Sequence, residues 1–120
     1  MTKKEKLIKN MDISLGELLN EIHYMEVAIE RMEKRFGGKD EHYINIIEYF
    51  KNMVKNYRLD FTRFTHLRNL AATGKPTLEA LEIYDFMIED ARSNIFNTSE
   101  YVWSTLLEEY IEDYVEDYDD

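Results

Sequence analysis

Cysteine is absent, which excludes disulfide scaffolds, thiolate metal sites and thiol nucleophiles. One proline and four glycines in 120 residues leave no material for collagen-like, proline-rich or flexible low-complexity segments. No apolar run approaches the roughly 18 residues that a bilayer-spanning helix needs. The opening MTKKEKLIKN is basic, but no apolar stretch or small-residue cleavage site follows it, so no secretory signal is expected. What remains is 44% hydrophobic and 33% charged, a composition that predicts a single soluble cytoplasmic helical domain over residues 1–120.

Positive charge is nearly missing from the last third. The net charge is −10, and it is unevenly spread. Residues 1–78 hold 11 acids and 14 bases, whereas residues 79–120 hold 14 acids and one base, Arg92. Such asymmetry marks an acidic interaction surface or an acidic tail. The closing EEYIEDYVEDYDD is not a plain tail. Tyr110, Tyr114 and Tyr118 recur every four residues, with Ile111 and Val115 on the adjoining stripe, so a helix is expected to about Tyr118 with the last two or three residues frayed.

Apolar residues follow helical spacing almost throughout. Ile8, Met11, Leu15, Leu18, Ile22, Met25, Ile29, Met32 and Phe36 step by three and four, a 3.5-residue seam. Gly37–Gly38 supplies its stop. Ser14, Gly16 and Glu17 mark a weak point where the helix is open to a restart. A second seam begins after Asp40, an expected N-cap, with Tyr43, Ile47, Phe50, Val54, Tyr57, Phe61 and Phe64, continued by Leu67, Leu70 and Ala71. Thr77 caps a third stripe of Leu81, Tyr84, Ile88, Ala91 and Ile95. The cluster Asn97–Thr98–Ser99 is expected to interrupt it, because such side chains bond their own backbone. Val102, Trp103, Leu106, Tyr110, Ile111 and Tyr114 supply the apolar content of a fourth helix. The reading is therefore all-α and four-helix-bundle-like: a long antiparallel hairpin, about 3–36 and 41–72, with two shorter helices, about 78–95 and 99–118, packed on it.

Candidate chemistry is sparse. His23, His42 and His66 fall on separate segments and in no H-E-x-x-H or E-x-x-H arrangement, so no metal or cofactor is predicted from them. Glu30 with Glu33, and Glu79, Glu82 and Asp85, have the i, i+3 carboxylate spacing with which all-α nucleotide pyrophosphohydrolases hold Mg²⁺. The same spacing also suits solvated ion pairs. No serine stands in a glycine-flanked elbow and no glycine-rich phosphate loop is present. Arg58, Arg63 and Arg68 interleave with aromatics, but five-residue steps carry them round a helix by about 140° each, so they form no basic stripe for nucleic acid. A helix-turn-helix about Gly74 would present phosphates with the acid-rich TLEALEIYDFMIED, the wrong sign for reading DNA.

The acidic third therefore carries the functional expectation. Glu108, Glu109, Glu112, Asp113, Glu116 and Asp117, with the two terminal aspartates, give roughly one charge per 2.4 Å of helix axis, against about one per 1.7 Å of duplex DNA. Glu79, Glu82, Asp85, Glu89 and Asp90 join them from the preceding segment. In size, charge and helical build the chain is similar to the small acidic proteins with which phages and mobile elements block host nucleases, the anti-CRISPR and anti-restriction DNA mimics. No motif carries residue roles across. The resemblance implies a non-enzymatic inhibitor acting in a bacterial host cell, whose carboxylates take the place of phosphates in a basic groove of a nuclease or nucleic-acid-binding complex. No direct nucleic-acid or membrane contact is expected. Tyr101, Trp103, Tyr110 and Tyr118 are the expected apolar anchors. The alternatives are an antitoxin or immunity protein, a helical adaptor or homodimer, and the Mg²⁺-dependent pyrophosphohydrolase.

Overall fold

In the computed structural model the backbone is described for residues 1–36 and 41–118, and side chains within 1–36 and 41–108. Three long helices account for nearly all of it: α1 (Lys3–Phe36), α2 (Glu41–Ala72) and α3 (Leu78–Tyr118). The glycine stop at 37–38, the Asp40 cap and the expected fraying of the last two residues lie outside the described residues.

Each described helix end has a chemical cause. The Thr2 hydroxyl accepts the Glu5 amide at 3.1 Å and donates to the Glu5 carboxylate at 3.2 Å, closing the first turn of α1 from both sides. At the end of α2, Gly74 takes φ of 77°, and the Thr73 and Gly74 amides return to the Leu70 and Ala71 carbonyls at 3.1 and 3.2 Å. A left-handed glycine terminates a helix without the steric cost of a Cβ. Thr77 then caps α3 as its sequence position predicts, with its hydroxyl accepting the Ala80 amide at 3.2 Å.

α1 is the one long helix expected, and the interruption expected at Asn97–Thr98–Ser99 does not occur. α1 passes unbroken through Ser14 and Gly16, where Ser14 is buried on the core stripe. More consequentially, the two shorter helices expected at 78–95 and 99–118 are one helix of 41 residues, about 61 Å long. Asn97–Thr98–Ser99 fails to stop it because its hydroxyls find partners compatible with helical backbone. Thr98 Oγ1 donates to the Asn94 carbonyl at 3.0 Å and meets the Tyr57 hydroxyl at 2.8 Å, while Ser99 is buried on the inner stripe. No glycine or proline lies between 78 and 118 to enforce a break. The bundle has three long helices rather than a hairpin carrying two short ones.

Cross-helix pairs set the topology. Lys3–Glu82, Glu17–Arg92 and Tyr24–Trp103 climb α1 and α3 in the same order, so these helices are parallel. Asp12–Arg68, Glu26–Arg58 and Glu33–Lys51 run in opposite order, making α2 antiparallel to α1. α1 is the central element and packs along both neighbours, whereas α2 and α3 touch each other much less. The molecule is a rod, 66 × 22 × 16 Å. Its core joins Met11, Leu15, Leu18, Ile22, Met25, Ile29, Met32 and Phe36 of α1 to Ile47, Phe50 and Val54 of α2, and to Leu81, Ile88, Ile95, Val102 and Leu106 of α3. Each of these large side chains contributes about 1.5–3 kcal/mol by leaving water.

Candidate functional site

The Mg²⁺-type carboxylates are dispersed. Glu30 pairs with Lys34 at 3.1 Å, Glu33 is bound by Lys51, and Glu82 is held by Lys3 at 3.0 Å. The Lys51 ammonium is held above its ordinary pKa, first by its hydrogen bond to Glu33. Among the described residues no three His, Asp or Glu side chains converge to hold a metal ion. The histidines stay apart: His23 lies 3.4 Å from Glu26, His42 sits edge-on to Tyr43, and His66 is exposed. Of the interleaved arginines, Arg58 reaches Glu26 and Arg68 clamps Asp12 with two hydrogen bonds, of 2.6 and 3.1 Å. Both arginines tie α2 to α1, and Arg68 is held above its ordinary pKa by that Asp12 contact.

The acidic residues expected to meet a partner all belong to α3. Glu79, Glu82, Glu89, Asp90 and Glu108 are exposed, and Asp85 is half-buried. Of these, Glu79, Glu89 and Glu108 make no ion pair among the described residues, Glu82 is taken by Lys3, and Asp90 lies 3.5 Å from the Asn94 amide. The helix's one base within these residues, Arg92, donates to Glu17 of α1 at 2.7 Å and neutralises none of them. Asp85 is different. One of its carboxylate oxygens is buried without a hydrogen-bond partner, and burial, then the charge of Glu89, pushes its carboxyl above the usual aspartate value.

Glu109, Tyr110, Glu112, Asp113, Glu116, Asp117 and Tyr118 stand on helical backbone, but their side chains lie outside the described residues. Among the acids whose side chains are described, Asp90 and Glu108 lie five helical turns apart and so share one angle on α3, roughly 80° round from Glu82. The parallel register sets the last turns of α1, with Arg31 and Arg35, level with the part of α3 that follows Glu108.

Two long grooves flank α1. The groove toward α2, about 510 Å³, is bridged by the Glu26–Arg58 and Glu33–Lys51 pairs and floored by Ile29 and Val54. The groove toward α3 has two adjoining parts that share Phe96. One, about 560 Å³, is lined by Glu17, Asn20, Glu21, Arg92 and Asn97; the other, about 420 Å³, by Tyr24, Glu100, Trp103 and Leu107. Tyr24 lies on Trp103 with ring centroids 4.5 Å apart, and the Arg31 guanidinium stands 5.5 Å from the same indole. Trp103 is half-buried beneath them, and its indole N–H has no partner. Tyr101, another expected anchor, is 62% exposed and meets Phe50 edge-on at 6.0 Å.

Tyr24, Val27, Phe96 and Leu107 have no place in the seams read from the sequence. Tyr24, Phe96 and Leu107 line this groove and are exposed, Phe96 by 51% and Leu107 by 55%, and Val27 is exposed elsewhere on α1. The available signal was a second seven-residue spacing, Phe96 to Trp103 and Glu100 to Leu107, laid beside the core stripe. Compared with protein-family models, curated proteins and solved structures, the chain matches none.

Proposed function

We propose that this protein is a binding protein whose acidic helix α3 occupies a cationic groove of a nucleic-acid-handling protein, blocking access of the nucleic acid, in the manner of anti-CRISPR or anti-restriction inhibitors. The observation that supports this reading best is that the single base of α3 is turned to α1. Arg92 is held by Glu17 at 2.7 Å, so Glu79, Glu89 and Glu108 keep their charge for an external partner. A continuous helix adds rigidity, which reduces the ordering cost of association. The acids contribute chiefly to encounter rate and partner choice, because exposed charges act at long range and are screened by salt.

The test uses nucleic-acid-binding proteins captured from a bacterial lysate that contains nuclease effectors. Each is assayed for duplex DNA binding with and without this protein. Mutual exclusion that weakens steeply between low and high salt is the expected result. A variant with Glu108, Glu109, Glu112, Asp113, Glu116 and Asp117 changed to Gln or Asn should keep its helical circular-dichroism spectrum and lose the partner. Binding retained in that variant sinks the charge mechanism and leaves the adaptor reading, which the exposed Ile83, Phe86 and Phe96 of α3 favour.

A further inference from the structure

Apart from the anionic rod, the groove between α1 and α3 has the form of a vacant helix position. Its α1 wall sets Glu17 and Tyr24 seven residues apart, and its α3 wall does the same with Phe96 and Trp103. Such walls present the holes that the side-chain knobs of another helix fill. Tyr24 and Leu107 are 54% and 55% exposed there, an apolar surface that no element of this chain covers among the described residues. The polar rim is biased. Glu21 and Glu100 make no ion pair among the described residues, and Arg92 is already neutralised by Glu17. We infer that this groove docks an amphipathic helix of another protein, apolar on one face and flanked by Lys or Arg, which completes a four-helix bundle.

A small-molecule ligand fits the site poorly, since the groove is long, open and lacks convergent polar groups. A helix fits its length and chemistry. From Phe96 to Leu107 the α3 wall extends about 16 Å, three turns of an α-helix. Apolar anchors at i, i+3 or i+4, and i+7 would meet Phe96, Tyr24 and Leu107, while flanking cations would face Glu21 and Glu100. Trp103 lies beneath Tyr24, so displacement of that ring changes the surroundings of the only tryptophan in the chain.

Trp103 fluorescence therefore reports the test directly. The probe is a tryptophan-free amphipathic peptide of about 18 residues, with leucine on one face and lysine on its flanks, compared with the same peptide carrying glutamate flanks. The lysine peptide should shift Trp103 emission and bind at least about tenfold more tightly than the glutamate peptide. Phe96→Asp and Leu107→Asp, both at exposed positions, should each abolish binding with helical content unchanged. Ile83→Asp, roughly 140° round α3 from Phe96, should not. Failure of both peptides to bind, equal binding of the two, or indifference to Phe96→Asp and Leu107→Asp overturns the inference. So does a concentration-dependent dimer in sedimentation that Phe96→Asp dissociates, because a second copy would then own the groove. These outcomes are separate from the fate of the anionic rod, whose neutralised carboxylates do not include Phe96, Glu21 or Glu100.

Discussion

α1 and α2 carry apolar seams of nearly equal regularity, yet the structure buries them to different depths. Along α1, every seam residue from Met11 to Phe36 is buried. Along α2, Ile47, Phe50 and Val54 are buried, but Tyr57, Phe61, Phe64 and Leu67 are only partly so, and Leu70 is 38% exposed. The difference lies in neighbours rather than in pattern. α1 has a helix on each side, whereas α2, whose lower half runs from Tyr57 to Ala72, packs mainly on α1 and touches α3 much less. Tyr57 to Thr98, at 2.8 Å, is a polar tie between α2 and α3. A regular stripe thus specifies which face turns inward, and the count of neighbouring helices specifies how much water it loses.

The largest expected effect comes from truncating the same residue type in the two halves of α2. Phe50→Ala should cost about 3–5 kcal/mol, as for a fully enclosed phenylalanine. Phe64→Ala should cost only about 1–2 kcal/mol, because less apolar area leaves water. Urea denaturation of both variants measures the gap, and equal losses would abolish the distinction between the halves.

A smaller effect sharpens the comparison at the foot of α3. Asp85 places a partnerless carboxylate oxygen out of water, and its pKa is raised in the fold. The folded state therefore holds this proton more firmly than the unfolded chain. The penalty is fully present above the raised folded pKa and absent below the unfolded value. Asp85→Asn should stabilise the protein at neutral pH by about 1 kcal/mol. That gain should shrink as pH falls toward the ordinary aspartate range. A gain independent of pH in thermal denaturation would assign the effect to packing instead.

The smallest effect concerns the solvent side of α1. A methyl group at Gly16 would meet nothing within 4 Å, and its backbone is ordinary helix. Gly16→Ala should therefore add roughly 0.5–1 kcal/mol of stability through helix propensity alone. A loss in chemical denaturation would mean that this stretch of α1 is more crowded in solution than its structure indicates.

Much of the fold could be read in the residues themselves. The bounds of α1 and α2, the Thr77 cap and the inward positions of Leu81, Ile88, Ile95, Val102 and Leu106 all follow from spacing and cap chemistry. The break at Asn97–Thr98–Ser99 was misread because cap-forming residues end a helix only when their hydroxyls compete with it. Here a carbonyl one turn back and a tyrosine on α2 satisfy Thr98 instead. The groove residues were overlooked for a related reason. Tyr24, Phe96 and Leu107 lie off the core stripe, and single exposed apolar residues are unremarkable until two helices set them side by side.

The sequence by itself determined that this chain is helical, where α1 and α2 begin and end, which face of each turns inward, and how unevenly its charge is distributed. Those are properties of backbone period, capping and composition, which act within a few residues. Tertiary structure alone decided that α3 runs unbroken, that the lower half of α2 stays partly wet, and that Phe96 of α3 comes to border the same groove as Tyr24 of α1. Each of these depends on contacts between residues far apart in the chain, and no local pattern states how many neighbours a helix will have.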